Sequence, residues 1–320
     1  MSGPVLQSTI AFGGIRFDPL VWSEPLMWVV LAAFLGSAVV SRYDMEWGRT
    51  VAVAGWVAFG AFWLVLIPHF TLTQKSLIEG VGSFAAVPLS VWAGYHLYQG
   101  RDSLFVLSRA VAVMGVIYLP FETIPALTIG GMAVPEPRRI LIEVVATHTG
   151  ALIDLLGYAP ARVESVDGFN AAFHWILADG HSVRVHVVLA CTGLGSMAIF
   201  GGLVTAIEAP IERKVRALAV SIPLIYILNI ARTTFISVVS GNQYMHWQPD
   251  LVMALFGATN PYRVSFLVSD RIMSQLLAVV ALVGITYLVV RELPELVVVL
   301  EDVLYLLTGE EHDLTEALDL

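Results

Sequence analysis

Seven apolar stretches of about 20 residues follow one another along this 320-residue chain, and a bilayer core of about 30 Å needs about 20 mostly apolar residues per crossing helix. They run over about 22–41, 50–69, 77–98, 103–121, 189–209, 217–239 and 270–291. A soluble domain averages about 25% charged residues. Here the charged fraction is 13%, the hydrophobic fraction 57% and the mean hydropathy +0.78. The pattern predicts an all-α polytopic membrane protein with about seven transmembrane helices, in one membrane domain over 1–292. No internal repeat is visible. The opening "MSGPVLQSTIAFGGIRFDPL" lacks a basic n-region ahead of an apolar h-region and does not read as a cleavable signal.

Lys and Arg favour short cytoplasmic loops. The loop "PIERKVRA", with Arg213, Lys214 and Arg216, separates the fifth and sixth spans. Placing it inside puts Arg42, Arg49 and Arg101 inside too, the N-terminus outside, and the acidic tail 293–320 in the cytoplasm. In that tail "ELVVVLEDVLYLL" is too short to span and reads as an interfacial amphipathic helix.

The segment of about 122–188 becomes an extracytoplasmic insertion. Within it "RRILIEVVATHTGALIDLL" carries Glu143, His148 and Asp154 and reads as an amphipathic surface helix, with an eighth span left open. "AAFHWILADGHSVRVHVV" reads as a small β-hairpin, with Phe173, Trp175 and Leu177 alternating along one arm and Val183, Val185 and Val187 along the other. Asp179-Gly180 predicts a two-residue turn with both central residues at positive φ. The second arm leads straight into Cys191.

Cys191 is the only cysteine, which excludes an intramolecular disulfide and a cysteine-based metal site. All but two of the 17 basic residues are arginine, against 26 acids, a balance that suits high salt. No nucleic-acid footprint, metal cluster or nucleotide motif is visible, and no cofactor is expected.

Arg232 lies inside the sixth span, where a cation costs about 3 kcal/mol on insertion scales. With a helix exit near Val239 it sits about 10 Å below the outer surface, at 1.5 Å per residue. Cys191 at the start of the fifth span and Arg271 at the start of the seventh fall at the same depth. A thiol becomes a useful nucleophile as thiolate, which a nearby cation favours. Arginine stays charged and cannot accept the proton, but it can hold an oxyanion, phosphate or carboxylate. Taken singly, Cys191 also fits a small apolar side chain, Arg271 a snorkelling helix-end residue, and Gly193, Gly195 and Ser196 close helix packing.

"LACTGLGSM" around Cys191, "NIARTTF" around Arg232 and "SDRIMSQ" around Arg271 occur in order, spaced by 41 and 39 residues. They resemble the three signature regions of the exosortase/archaeosortase family, over about 100–292. The resemblance implies a membrane cysteine transpeptidase. Such an enzyme cuts C-terminal sorting tails of secreted surface proteins, made of a Pro-Gly-Phe-type motif, a hydrophobic helix and a basic end. It then joins the new C-terminus to a membrane lipid, with S-layer glycoprotein among the substrates. Cys191 would form a thioester, with Arg232 and Arg271 completing the catalytic set. Thr192, Gly193, Asn229 and Asp270, in the same motifs, are candidates for substrate binding or support. Many exosortases carry histidine where this chain has Arg271, so the match does not identify the proton-transfer group. His186, five residues before Cys191, is the first candidate, with His148, His174, His181 and His246 on the same side. Hydrolysis of the thioester, or a transporter or lipid-binding protein using Arg232 and Arg271, are the alternatives.

Overall fold

The computed structural model describes residues 10–12, 15–74 and 77–314. The N-terminal stretch read as lacking a signal and the last residues of the acidic tail lie largely outside them. The chain is mostly helical: α1 (Pro19–Val40), α2 (Met45–Pro68), α3 (Leu77–Tyr98), α4 (Leu104–Thr123), α5 (Pro137–Leu155), α6 (Leu194–Ala206), α7 (Ile211–Gly241), α8 (Pro249–Phe256), α9 (Val264–Phe266), α10 (Gln275–Glu292) and α11 (Val297–Thr308). Helices occupy all seven expected stretches. Among the described residues five helical segments are long and apolar enough to cross a membrane: Pro19–Val40, Met45–Thr73, Leu104–Thr123, Ile211–Gly241 and Pro261–Glu292. Leu194–Ala206 is apolar but shorter.

Two compact units are distinguishable, one made of residues up to Val116 with Gly201–Lys214 and the chain from Leu293, the other of Ile117–Phe200 and Val215–Glu292. In the first, two short strands, β1 (Ile10–Phe12) and β2 (Ile15–Phe17), pair antiparallel ahead of α1. Asp18 caps α1 and Asp44 caps α2, each side chain accepting from first-turn backbone N–H groups. Small residues let these helices approach closely. Ser37 Oγ donates to the Gly48 carbonyl at 2.8 Å, and a Cβ on Gly55 would stand 2.7 Å from the Phe34 ring. Trp56 donates through Nε1 to Ser108 Oγ at 3.0 Å and meets Phe34 edge-on. The apolar C-terminal helix α11 belongs to this unit. Its buried Asp302 accepts from Arg101 Nε at 2.8 Å, and the Arg101 guanidinium also lies 3.9 Å above the Tyr305 ring.

The second unit contains the expected insertion, which is more structured than the sequence suggests. The strands β3 (Leu127–Ile129) and β4 (Met132–Val134) form a hairpin. The expected hairpin is present as β6 (Ala172–Ile176) and β7 (Ser182–His186), with a third strand, β5 (Ala161–Val163), added antiparallel to β6. Its turn differs from the expectation. Only Gly180 has positive φ, at +82°, and the Gly180 N–H donates to the Leu177 carbonyl. The connection is therefore a longer loop with an αL glycine after the turn, and Asp179 keeps negative φ while its Oδ1 accepts from the His181 N–H at 2.9 Å.

The helix left open as a surface helix or eighth span, α5, is not among those able to cross a membrane. It turns Ile142, Val145, Ala146, Thr149 and Ile153 inward, at the helical spacing. Most of these join Phe173, Trp175, Val185, Val187, Leu189 and Leu194 in one core with Ile230, Ile236 and Val238 of α7. Burial in protein, rather than an apolar face laid on lipid, explains its amphipathic pattern.

Gly241, the last residue of α7, lies directly against the Trp175 ring, whose Nε1 donates to Ser237 Oγ at 3.3 Å. A methyl group at 241 would overlap that ring, so Gly241→Ala is expected to lower stability by about 1–3 kcal/mol through overpacking. Gly284→Ala, which meets nothing within 4 Å, is expected to leave thermal unfolding in detergent unchanged or slightly improved. Equal melting temperatures for the two variants would contradict this packing.

Candidate active site

Cys191 does not open a transmembrane helix, as the sequence suggested. After β7 the Val187 N–H donates to the Ala171 carbonyl, extending the sheet ladder. The chain then tightens into a 3-10 turn over Leu189–Cys191. Thr192 follows with its Oγ1 accepting from the Leu194 N–H at 3.3 Å and donating to the Leu189 carbonyl at 2.7 Å. Gly193 takes φ +77°, a conformation that favours glycine, and α6 starts at Leu194. The thiol is thus carried on an irregular turn between a sheet and a helix, half-buried and free of disulfide.

Helix α7 holds that turn. Asn229 Nδ2 donates to the Cys191 carbonyl, and Thr233 Oγ1 donates to the same oxygen at 3.3 Å. Asn229 and Thr233 are four residues apart and share one helical face. A Cβ on Gly193 would stand 3.2 Å from the Asn229 side chain, so glycine serves there both the backbone turn and the close approach.

Arg232, on the same turn of α7, donates from Nη2 to Asp270 Oδ1 at 2.9 Å. Arg271 Nε lies 3.4 Å from the other oxygen, Oδ2. Asp270 is buried and sits between the two guanidinium groups. Arg232, Asp270 and Arg271 all lie within electrostatic reach of Cys191. The three residues singled out for their common depth are therefore brought together, with Asn229, Gly193 and Asp270 among them, and Thr192 adjoining.

The seventh stretch departs from the expected boundary. Asn260 caps a 3-10 turn with Pro261 in its first position, and the helical segment runs from Pro261 to Glu292. Arg271 lies ten residues inside it, not at its start. Residues Leu267–Ser274 form a π-helix. Wide π turns recur at functional sites because they redirect side chains, and this one carries both Asp270 and Arg271.

His186 ends β7, opposite Ala172 in the ladder, and its buried Nδ1 has no hydrogen-bond partner among the described residues. Burial first, and the Arg184 charge second, push its pKa below the usual histidine value. No hydrogen bond joins it to Cys191. His148 Nδ1 pairs with the Tyr226 hydroxyl at 2.6 Å, and His181 stacks on Tyr262 with ring centroids 3.6 Å apart. Thr233 is the site residue that the sequence reading missed; its spacing from Asn229 was the available signal. No group of three or more His, Cys, Asp or Glu side chains able to hold a metal occurs among the described residues.

The model of the transmembrane exosortase family matches residues 22–263, about three quarters of the chain. The chain belongs to the exosortase family. It is similar to archaeosortase A of Haloferax volcanii, 56% identical over 94% of this chain and 99% of that protein. It is also similar to archaeosortase A of Natronomonas pharaonis, 41% identical over 88% of each chain. No solved structure matches it. The family match contains Cys191 and Arg232 and ends before Asp270 and Arg271, so the far side of the candidate site rests on the geometry of the π segment.

Two outcomes follow for this site. Removing the carboxylate takes away the ion-pair partner of the part-buried Arg232, so Asp270→Ala is expected to destabilise by about 3 kcal/mol. Asp270→Asn, which keeps an acceptor, is expected to cost less in the same thermal unfolding measurement. His186 titrates lower in the folded chain than in the unfolded one. Its contribution is therefore unfavourable once pH falls below the unfolded value of about 6.5, where the unfolded chain takes up the proton more readily. His186→Gln should flatten the loss of stability from pH 7 down to pH 5. An unaltered pH profile would contradict the burial of that ring.

Proposed function

We propose that this exosortase is a cysteine transpeptidase that cleaves C-terminal sorting tails of surface proteins and transfers the new C-terminus to a membrane lipid. The observation that carries the reading is the only cysteine of the chain, fixed through its own carbonyl to α7, beside Arg232 and Arg271 with Asp270 between them. Two guanidinium groups beside a thiol are the cations that favour a thiolate and then an oxyanion.

The thiolate sulfur attacks the scissile carbonyl, forming the carbon–sulfur bond as the carbonyl electrons move onto oxygen. The buried Arg232 Nε has no hydrogen-bond partner among the described residues and is the donor assigned to that oxyanion. Collapse breaks the carbon–nitrogen bond, and the departing amine takes the proton that the Cys191 thiol gave up, carried by His186, leaving a thioester. A lipid headgroup nucleophile then attacks the thioester, forming a bond to the acyl carbon, passes its proton to His186 and expels the thiolate. Water exclusion favours transfer over hydrolysis.

In this reading the spans number seven, with the N-terminus and the Cys191 site on the outer side and the acidic tail in the cytoplasm. A substrate helix and lipid headgroups then reach the site without leaving the bilayer. Asn229, Thr233 and Gly193 position the nucleophile, and His186 serves as a proton carrier.

Intact mass of a tail-bearing substrate recovered from membranes tests the proposal. The wild-type chain should yield a shortened product carrying lipid mass, and Cys191→Ser should leave the substrate intact, a loss of at least about 1,000-fold. A shortened product ending in a free carboxylate would indicate hydrolysis. Equal processing by both would reduce Cys191 to packing.

A further inference from the structure

The first compact unit carries an open pocket of about 660 Å³ lined by residues of α1, α4 and α6, the loop into α7 and the first turn of α7. None of its residues belongs to the Cys191 site. Its polar end gathers Arg42, just past α1, Arg109, in the second turn of α4, and Lys214, one of the chain's two lysines. Against these three cations stands one carboxylate, Glu208, so the lining carries a net charge of +2 within a chain of net charge -9. The cations are incompletely used. Arg109 reaches Glu208 at 3.1 Å, but that carboxylate is 87% exposed, and Lys214 Nζ donates to the Thr205 carbonyl at 3.0 Å. Arg42 is exposed.

The rest of the lining is apolar. Ala112 and Ile207 are buried at its floor, whereas Leu35, less than two turns from the end of α1, is exposed on a helix long and apolar enough to cross a membrane. Ala38 and Val113 continue this wall. A pocket with cations at the helix ends and a greasy, exposed flank has two chemistries in one space. A free anion would use only the first.

We infer that this pocket binds the phosphate headgroup of an anionic membrane lipid, with Arg42, Arg109 and Lys214 on the phosphate and an acyl or isoprenoid chain along Leu35, Ala38 and Val113. Basic pockets between transmembrane helices are suited to such headgroups, and each cation near a membrane surface adds to the attraction. The inference concerns a bound lipid of the membrane in which the protein sits and does not depend on the proposed reaction.

The experiment uses the purified full-length protein in nanodiscs containing phosphatidylglycerol and phosphatidylcholine with matched chains, with retained lipids read by native mass spectrometry. Wild type should retain phosphatidylglycerol in preference to phosphatidylcholine by about tenfold, and millimolar inorganic phosphate should not displace it. The double variant Arg42→Gln/Lys214→Gln should lose that preference. Ala38→Phe, which fills the apolar wall and leaves every charge, should also lose the lipid. Equal retention of both lipids by the wild type, or full retention of phosphatidylglycerol by the double variant, would overturn the inference. Displacement by inorganic phosphate would do so too, by reducing the site to a free-anion pocket. Should the variants fail to accumulate, the wild-type headgroup preference and phosphate competition decide alone.

Discussion

The Asp270 carboxylate held between Arg232 and Arg271 is the interaction on which the candidate site of the second unit is built. An arginine within an apolar helix costs about 3 kcal/mol unless something compensates it. One carboxylate shared by two guanidinium groups compensates part of that cost.

Helix α7 is the element that makes this arrangement rigid. Along it, Asn229 and Thr233 fix the Cys191 turn, Arg232 holds Asp270, Ser237 accepts from Trp175, and Ser240 lies 3.4 Å from Ser269 on the π segment. These positions recur at intervals of three or four, so one helical face touches the sheet, the cysteine turn and the π-helix in succession. Buried polar groups of this kind are costly unless paired, and Asn229, Arg232, Ser237 and Ser240 each find a partner on another element. The Cys191 turn and Asp270 are held by the same helix.

The existence of the helices was legible because a bilayer imposes length and apolarity on any segment that crosses it. Arg232 was legible for the converse reason, since a cation in such a segment demands an explanation, whereas Cys191 and Arg271 were grouped with it by counting from span starts that the structure moves to Leu194 and Pro261. The details that set the geometry were hidden. The Asn260-Pro261 start of the last helical segment is a readable capping signal, but the apolar run beyond it drew the boundary inward by about ten residues. Nothing in "LVSDRIMS" announces a π turn, because that conformation arises from packing rather than composition. The extra strand Ala161–Val163 is too short for alternation to reveal, and the turn at Asp179-Gly180 is set by a backbone bond from the Gly180 N–H to the Leu177 carbonyl that the dipeptide alone does not announce. Asp270 stood in the motif, but its place between two arginines required coordinates.

The most direct measurement is to trap the acyl-enzyme. Purified wild-type protein would be incubated with a tail-bearing substrate in the absence of acceptor lipid, quenched with hydroxylamine or with acid, and mapped by peptide mass. The account predicts an acyl adduct on the peptide containing Cys191 in the acid-quenched sample, and its release as a hydroxamate in the other. Cleavage of the substrate at an undiminished rate with no adduct on Cys191, repeated with a Cys191→Ala chain, would contradict it.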